Sequence, residues 1–209
     1  MPRFRWPYAI SSLILVTIAA ALSYGFVDRP VALACRGLDR RIVDVFEWIT
    51  AFGVSTGYLI GFFALYILFR FVVRRRRAAR QALFLFVSTA AAGLAADVVK
   101  FVAGCARPKL YFEQDLYGME FFRVSHEYTS FPSGHAATIF AAATALALIF
   151  PKWRPPLILF AAIVAASRVV IGAHYLGDVL VGAYIGVITV YLVVWGERWR
   201  ARRRPAGPA

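Results

Sequence analysis

Residues 82–105 read ALFLFVSTAAAGLAADVVKFVAGC, an apolar run with Asp97 and Lys100 set near its far end. An α-helix needs ~20 predominantly apolar residues to cross a hydrocarbon core of ~30 Å, and this run exceeds that. Five further runs, at about 8–27, 55–73, 134–150, 157–171 and 176–195, are of similar kind. Together they predict an all-α, polytopic membrane protein with six transmembrane helices. Composition agrees: the chain is 61% hydrophobic and 17% charged, with a mean hydropathy of +0.66. Soluble domains carry nearer a quarter charged residues.

Residues 38–52 follow a different pattern. Leu38, Ile42, Val45, Ile49 and Phe52 recur at spacings of four and three, while Asp39, Arg40, Arg41, Asp44 and Glu47 fill the other face. This predicts one amphipathic helix lying in the membrane interface or against the bundle. The first apolar run follows Arg3 and Arg5, the flank of a signal peptide, and Ala19-Ala20-Ala21 is a conceivable cleavage neighbourhood. Its length favours a retained anchor. No internal repeat or low-complexity linker divides the chain, so residues 1–209 read as one domain, with a basic, disordered tail expected over 197–209.

The net charge of +13 would suit a nucleic-acid partner if the basic residues formed one patch. They sit instead in short clusters between apolar runs, as the positive-inside rule requires, and nucleic acid is not an expected partner. One side of the membrane receives Arg3, Arg5, Arg74–Arg77, Arg80, Lys152, Arg154 and the Arg-rich tail. The other receives Arg29, Arg36, Arg40, Arg41 and the long polar connection 107–131. The larger, tighter set marks the cytoplasm, so both termini are expected inside and the long loop outside. Short arginine-ended loops resemble those of bacterial inner-membrane proteins, whose outer face is periplasmic. Cys35 and Cys105 give no disulfide framework, and a packed, free thiol is expected at Cys105.

Asp97, Lys100, Arg168, His174 and Asp178 lie within apolar runs or at their ends. A charge at a helix centre costs roughly 2.5–3.5 kcal/mol on insertion scales, so such residues usually mark function; snorkelling to the interface is the bland alternative. All five fall at one predicted end of the bundle, beside Arg107. Lys100 and Arg107 are seven apart and would project from one side of the third helix. His174 and Asp178 are four apart and would touch on one helix, the carboxylate fixing the imidazole's orientation. Gly172 permits a sharp turn before them. Phe131-Pro132-Ser133-Gly134-His135 opens the fourth run as a helix start whose N–H groups face outward, a ready anion site. Three cations, an anion-binding turn and two histidines suit chemistry on phosphate.

Three blocks carry a family resemblance: Lys100-Phe-Val-Ala-Gly-Cys-Ala-Arg107-Pro108, Pro132-Ser133-Gly134-His135, and Ser167-Arg168-Val-Val-Ile-Gly-Ala-His174-Tyr-Leu-Gly-Asp178. In order and internal spacing they resemble the three-part signature of the type 2 phosphatidic acid phosphatases, a superfamily that includes bacterial acid phosphatases and vanadium haloperoxidases. The resemblance implies that His174 attacks phosphorus and forms a phosphohistidine, Asp178 orients it, and His135 protonates the leaving group and then helps activate water. It implies that Lys100, Arg107 and Arg168 hold phosphoryl oxygens with help from Ser133 and the Gly134 N–H, and that no metal or cofactor is needed. The substrate it implies is a phosphorylated membrane lipid within the bilayer. Phosphatidic acid, phosphatidylglycerol phosphate, a polyprenyl diphosphate and a lipid A phosphate all remain open.

Rival readings use the same residues. A phosphotransferase would pass the phosphate to a second lipid. A non-catalytic anion or lipid transporter would need the cations without a nucleophile, and a haloperoxidase would hold vanadate. His126 reads as a loop histidine, and Asp97 as a partner for Lys100 or a structural acceptor. Trp48, Trp153, Trp195 and Trp199 suit interface belts. Tyr111, Phe112, Tyr117, Phe121 and Phe122 would line a lipid entrance or pack the loop onto the bundle.

Overall fold

The computed structural model describes residues 5–123 and 125–203; Arg3 and the final residues 204–209 of the predicted tail lie outside them. Among the described residues nine α-helices follow one another: α1 (Trp6–Leu22), α2 (Asp28–Arg36), α3 (Arg40–Thr50), α4 (Ser55–Ile67), α5 (Arg76–Ala103), α6 (Pro108–Gln114), α7 (Gly134–Ile149), α8 (Arg154–Val170) and α9 (Leu176–Arg203). Among the described residues the only β pairing is an isolated antiparallel bridge between Cys105 and Met119. The all-helical expectation is met.

Five helical stretches among the described residues are long and apolar enough to cross a bilayer: Trp6–Arg36, Arg40–Val72, Arg76–Ala103, Pro151–Val170 and Leu176–Ala201. The sixth expected crossing, Gly134–Ile149, is a shorter apolar helix. Several boundaries differ from the sequence reading. The first run does not stop at Val27, because a π-helical turn at Ser23–Val27 joins α1 to α2. Pro30 then falls in the turn that follows the π-helical turn, where its missing N–H leaves a carbonyl one turn back without its intrahelical donor. Arg40–Thr50 is helical as expected, but a 3₁₀ turn at Ala51–Gly53 carries it into α4 with little interruption. Its apolar face divides: Ile49 packs on α7 and α8, whereas Val45 and Trp48 are exposed. Helix α9 continues past Glu197 to Arg203, so that part of the basic tail is helical rather than disordered.

The core is organised around α7. Ala136, Ala137, Ala141, Ala142, Ala143, Ala145 and Ala147 are buried, and their small side chains let neighbouring helices approach closely. Ala141 and Ala145 meet Phe84, Leu85 and Ala92 of α5 and Val190 and Val194 of α9. Ile139 and Ala143 meet Ala161 and Val164 of α8. The approach of α9 is closest: a Cβ at Gly182 would lie 2.4 Å from the Ser133 carbonyl oxygen. Helices α1 and α4 bury no residue and expose Ile10, Leu13, Ile14, Leu15, Ile60 and Phe63. A shell of this kind faces lipid, while the small-residue centre faces protein.

Chain direction sorts the helix ends. Helices α5 and α8 end, and α7 and α9 begin, at one pole of the bundle. The opposite pole carries the Arg-rich start of α5, the Pro151–Trp153 turn, and Trp6 edge-on to Trp195 at 5.6 Å.

Candidate active site

The segment after α5 delivers Arg107. Helix α5 ends at Ala103 because Gly104 adopts a left-handed conformation (φ +52°), its N–H bonding to Lys100 O. A Cβ there would lie 1.8 Å from Glu120 O, so the returning loop packs directly on the glycine backbone. Lys100 and Arg107 therefore do not share a helix face as the spacing suggested; Arg107 is the N-cap residue of α6. Its Nε donates to His126 O (2.9 Å) and its Nη1 to Ala173 O (3.3 Å), which ties the loop to the turn before α9. His126 contributes its backbone, in keeping with its reading as a loop histidine.

That turn is set by Gly172 (φ +67°), with the N–H groups of Ala173 and His174 both donating to Arg168 O. His174 precedes α9 rather than lying on it, which corrects the one-helix reading; the contact with Asp178 survives the correction. His174 Nδ1 stands 3.5 Å from Asp178 Oδ2, and both side chains are buried. The separation is long for a hydrogen bond. Oδ2 also accepts from Ser130 Oγ (2.5 Å) and the Tyr175 N–H (2.9 Å), so the carboxylate cannot swing away from the histidine. Burial lowers the His174 pKa, with the adjoining carboxylate of Asp178 opposing the shift. Burial thus favours the neutral imidazole.

Helix α7 contributes its start. Ser133 is its N-cap, and its Oγ accepts from Ala136 N–H (3.4 Å) while its own N–H donates to Asp178 O (3.0 Å). The Ser133 hydroxyl thus caps α7, and its N–H ties α7 to α9. The N–H groups left without intrahelical acceptors at the first turn belong to Gly134 and His135. A Cβ at Gly134 would lie 3.1 Å from Lys100 Nζ, so the ammonium sits directly over that turn. Lys100 also reaches Asp97 at 3.9 Å, Asp97 itself being exposed. His135 is covered by the joint between α3 and α4, where a Cβ at Gly53 would meet its ring at 2.7 Å. Arg168 Nη1 donates to Thr50 Oγ1 (2.8 Å), and its Nε is buried with no hydrogen-bond partner among the described residues.

All eight sequence-predicted site residues are therefore brought to one pole, across elements far apart in the chain. Sequence reasoning missed Ser130, Thr50 and Gly53, which act on the site through contacts that no local spacing reveals. The aromatic loop divides as well. Tyr117 packs edge-on against Tyr175 (5.1 Å) and flat on Tyr24 (4.7 Å), and Phe112 lies under Arg36, while Phe121 and Phe122 are exposed. Cys105 is a buried free thiol, as expected.

A buried histidine–aspartate pair, three converging cations and an open helix start, all at one pole of an apolar helix bundle, define a membrane protein built to handle phosphate. Residues 81–202 match the family described as the PAP2 superfamily, and the chain belongs to it. It is 31% identical over 197 residues to the lipid A 1-phosphatase of Rhizobium etli, covering 89% of this chain and 82% of that one. Identity to the lipid A 1-phosphatase of Rhizobium johnstonii is 30%, over 89% of this chain and 78% of the relative. An undecaprenyl-diphosphatase of Sulfolobus acidocaldarius is 32% identical over 57% of this chain and 56% of its own. The fold is similar to that of the PAP2-type phosphatidylglycerolphosphate phosphatase of Bacillus subtilis (TM-score 0.63, 22% identity, 94% and 98% covered). It is also similar to that of Aquifex aeolicus LpxE (TM-score 0.59, 24% identity, 79% and 93% covered). The protein is accordingly a membrane phosphatase of the lipid phosphatase kind.

Proposed function

We propose that this protein is a metal-independent lipid phosphate phosphatase working through a phosphohistidine. The observation that carries the reading is the buried His174–Asp178 pair, its carboxylate pinned by Ser130 and the Tyr175 N–H and facing Nδ1. With its proton on Nδ1 toward Asp178, His174 presents Nε2 as the nucleophile. Nε2 forms a bond to phosphorus as the bond to the lipid oxygen breaks, and His135 delivers a proton to that oxygen. Water then attacks the phosphohistidine, His135 takes its proton, and phosphate leaves with His174 restored. Lys100, Arg107 and Arg168 hold the equatorial oxygens. Arg168 Nε, without a partner among the described residues, and the first-turn N–H groups of Gly134 and His135 are donors available to them. Ser133 supports the anion-binding turn as its cap.

Six crossings with α3 at the interface complete the proposal, with the site on the non-cytoplasmic face. Helix α7 has 16 residues and spans about 24 Å, short of the hydrocarbon thickness, so its catalytic start lies below the headgroup level. A cavity of about 510 Å³ beside the Ile171–Gly172 turn, walled by Arg36, Arg40, Lys109, Glu113 and Phe112, offers an anionic headgroup a place next to the turn that carries His174. The two Rhizobium relatives make a lipid A phosphate the first substrate to test. The experiment is phosphate release by the detergent-purified protein from lipid A, phosphatidic acid, phosphatidylglycerol phosphate and a polyprenyl diphosphate. Release from at least one is expected, and release from none overturns the reading.

Two predictions arise here. Turnover should persist in EDTA, because the three basic side chains supply the charge a metal would bring. Vanadate should inhibit, since it adopts the trigonal-bipyramidal geometry of the transition state. Loss of turnover in chelator with recovery on adding magnesium would count against the mechanism. The second prediction is topological. In a background lacking Cys35 and Cys105, Glu113→Cys should react with an impermeant thiol reagent from the non-cytoplasmic side and Ala78→Cys only from the cytoplasmic side. The opposite labelling pattern would invert the topology.

A further inference from the structure

Asp28 is a buried carboxylate at the start of α2, outside the three blocks and 149 positions from the residue it binds. Its Oδ1 accepts from Gly177 N–H at 2.9 Å and from Ser23 Oγ at 2.7 Å, and its Oδ2 lies 3.4 Å from the Tyr117 hydroxyl. Gly177 is the second residue of α9, so this N–H is one of those a helix start leaves without an intrahelical acceptor. A helix normally caps such a group with a side chain of its own. Here Asp178 takes the Tyr175 N–H from within, and Asp28 takes the Gly177 N–H from across the bundle. His174 is carried by this doubly held turn.

The chain is shaped to bring Asp28 there. The π-helical turn at Ser23–Val27 ends at Asp28 and turns both Ser23 and Asp28 toward α9. Such turns are frequent at functional sites. Gly177 leaves the room: a Cβ there would lie 3.1 Å from Asp28 Oδ2 and 3.5 Å from Ser23 Cβ. Tyr117 donates to Tyr24 O (2.8 Å) and packs on Tyr175, closing the cluster beside the catalytic turn. A buried carboxylate is costly unless it is hydrogen-bonded, and its partners here are all groups that fix α9 or the π turn.

We propose that Asp28 is a positioning residue for His174: it caps α9 from outside and so fixes the turn that aims the imidazole at phosphorus. The proposal rests on His174 being the nucleophile. The needed property is a hydrogen-bond acceptor at the Oδ1 position, which Asn supplies and Ala does not.

The test compares Asp28→Ala, Asp28→Asn and Ser23→Ala with wild type and His174→Ala, in detergent, by kcat, KM and thermal midpoint. Asp28→Ala should lower kcat on the order of tenfold with KM within about twofold. Asp28→Asn should restore kcat, and Ser23→Ala should lower it less than Asp28→Ala does. Wild-type kcat in Asp28→Ala overturns the proposal, as does a loss that Asp28→Asn shares in full, or a loss carried by KM instead of kcat. If Asp28→Ala fails to fold, the Asn and Ser23→Ala variants decide by the same criteria. Activity surviving in His174→Ala would refute the nucleophile assignment instead, so the two failures are separate.

Discussion

His174→Ala abolishes phosphate release, while Asp178→Asn leaves a weak residual rate; this is the largest effect expected of single substitutions here. Removing a covalent nucleophile forfeits the step it forms, and comparable deletions in covalent hydrolases cost about 10⁶ in kcat. Asp178→Asn acts differently. One oxygen, Oδ2, meets Ser130 Oγ, the Tyr175 N–H and His174 Nδ1, so an asparagine carbonyl oxygen can occupy its place and keep the turn intact. What disappears is the negative charge facing an imidazole that, in the proposed mechanism, becomes cationic on phosphorylation. An Asp-to-Asn change at this kind of position costs on the order of 10⁴. Single-turnover and steady-state phosphate release should therefore rank wild type far above Asp178→Asn, and Asp178→Asn above His174→Ala. More than trace turnover in His174→Ala would disprove the nucleophile assignment.

The parts of this architecture legible in the sequence are those fixed over short spacings or by the bilayer. Apolar run length follows hydrocarbon thickness, so the crossings announce themselves. His174 and Asp178 remain in contact at a spacing of four although only Asp178 lies on the helix, because the Gly172 turn folds His174 back over it. Where the reading assumed an uninterrupted helix it misplaced residues. Gly104 breaks α5 between Lys100 and Arg107, so Arg107 reaches the turn before α9 from the start of α6 rather than along one helix face with Lys100. Joints were equally hidden: a π turn carries the first helix past Val27 and a 3₁₀ turn runs α3 into α4, so charges that looked like boundaries sit inside long helices. Asp28 and Ser130 stayed invisible because each serves the site across tens of residues, 149 and 48 positions away. No periodicity records a contact of that range.

Gly182→Ala is expected to produce the second large effect, through the backbone rather than through any reacting group. Gly182 lies one turn beyond Asp178 on α9, facing the start of α7. An added Cβ would sit 2.4 Å from Ser133 O, 3.2 Å from Ser133 C and 3.1 Å from Ala136 Cβ. None of these is the free end of a flexible side chain, so the helices themselves must part. Ordinary contact requires Ser133 O to retreat by roughly 1 Å, and misplacement of that size costs on the order of 10² in rate. The retreat pulls Gly134 and His135 away from His174 and stretches the 3.0 Å bond from Ser133 N–H to Asp178 O. Overpacking of this kind also costs about 1–3 kcal/mol of stability, which leaves a folded but impaired protein. Gly61→Ala is the control, since a Cβ there meets nothing within 4 Å. Side-by-side kcat and thermal midpoints should show Gly61→Ala close to wild type and Gly182→Ala some hundredfold slower with a modestly lowered midpoint. Equal kcat in the two variants would mean that the separation of α7 and α9 does not set the geometry of the site.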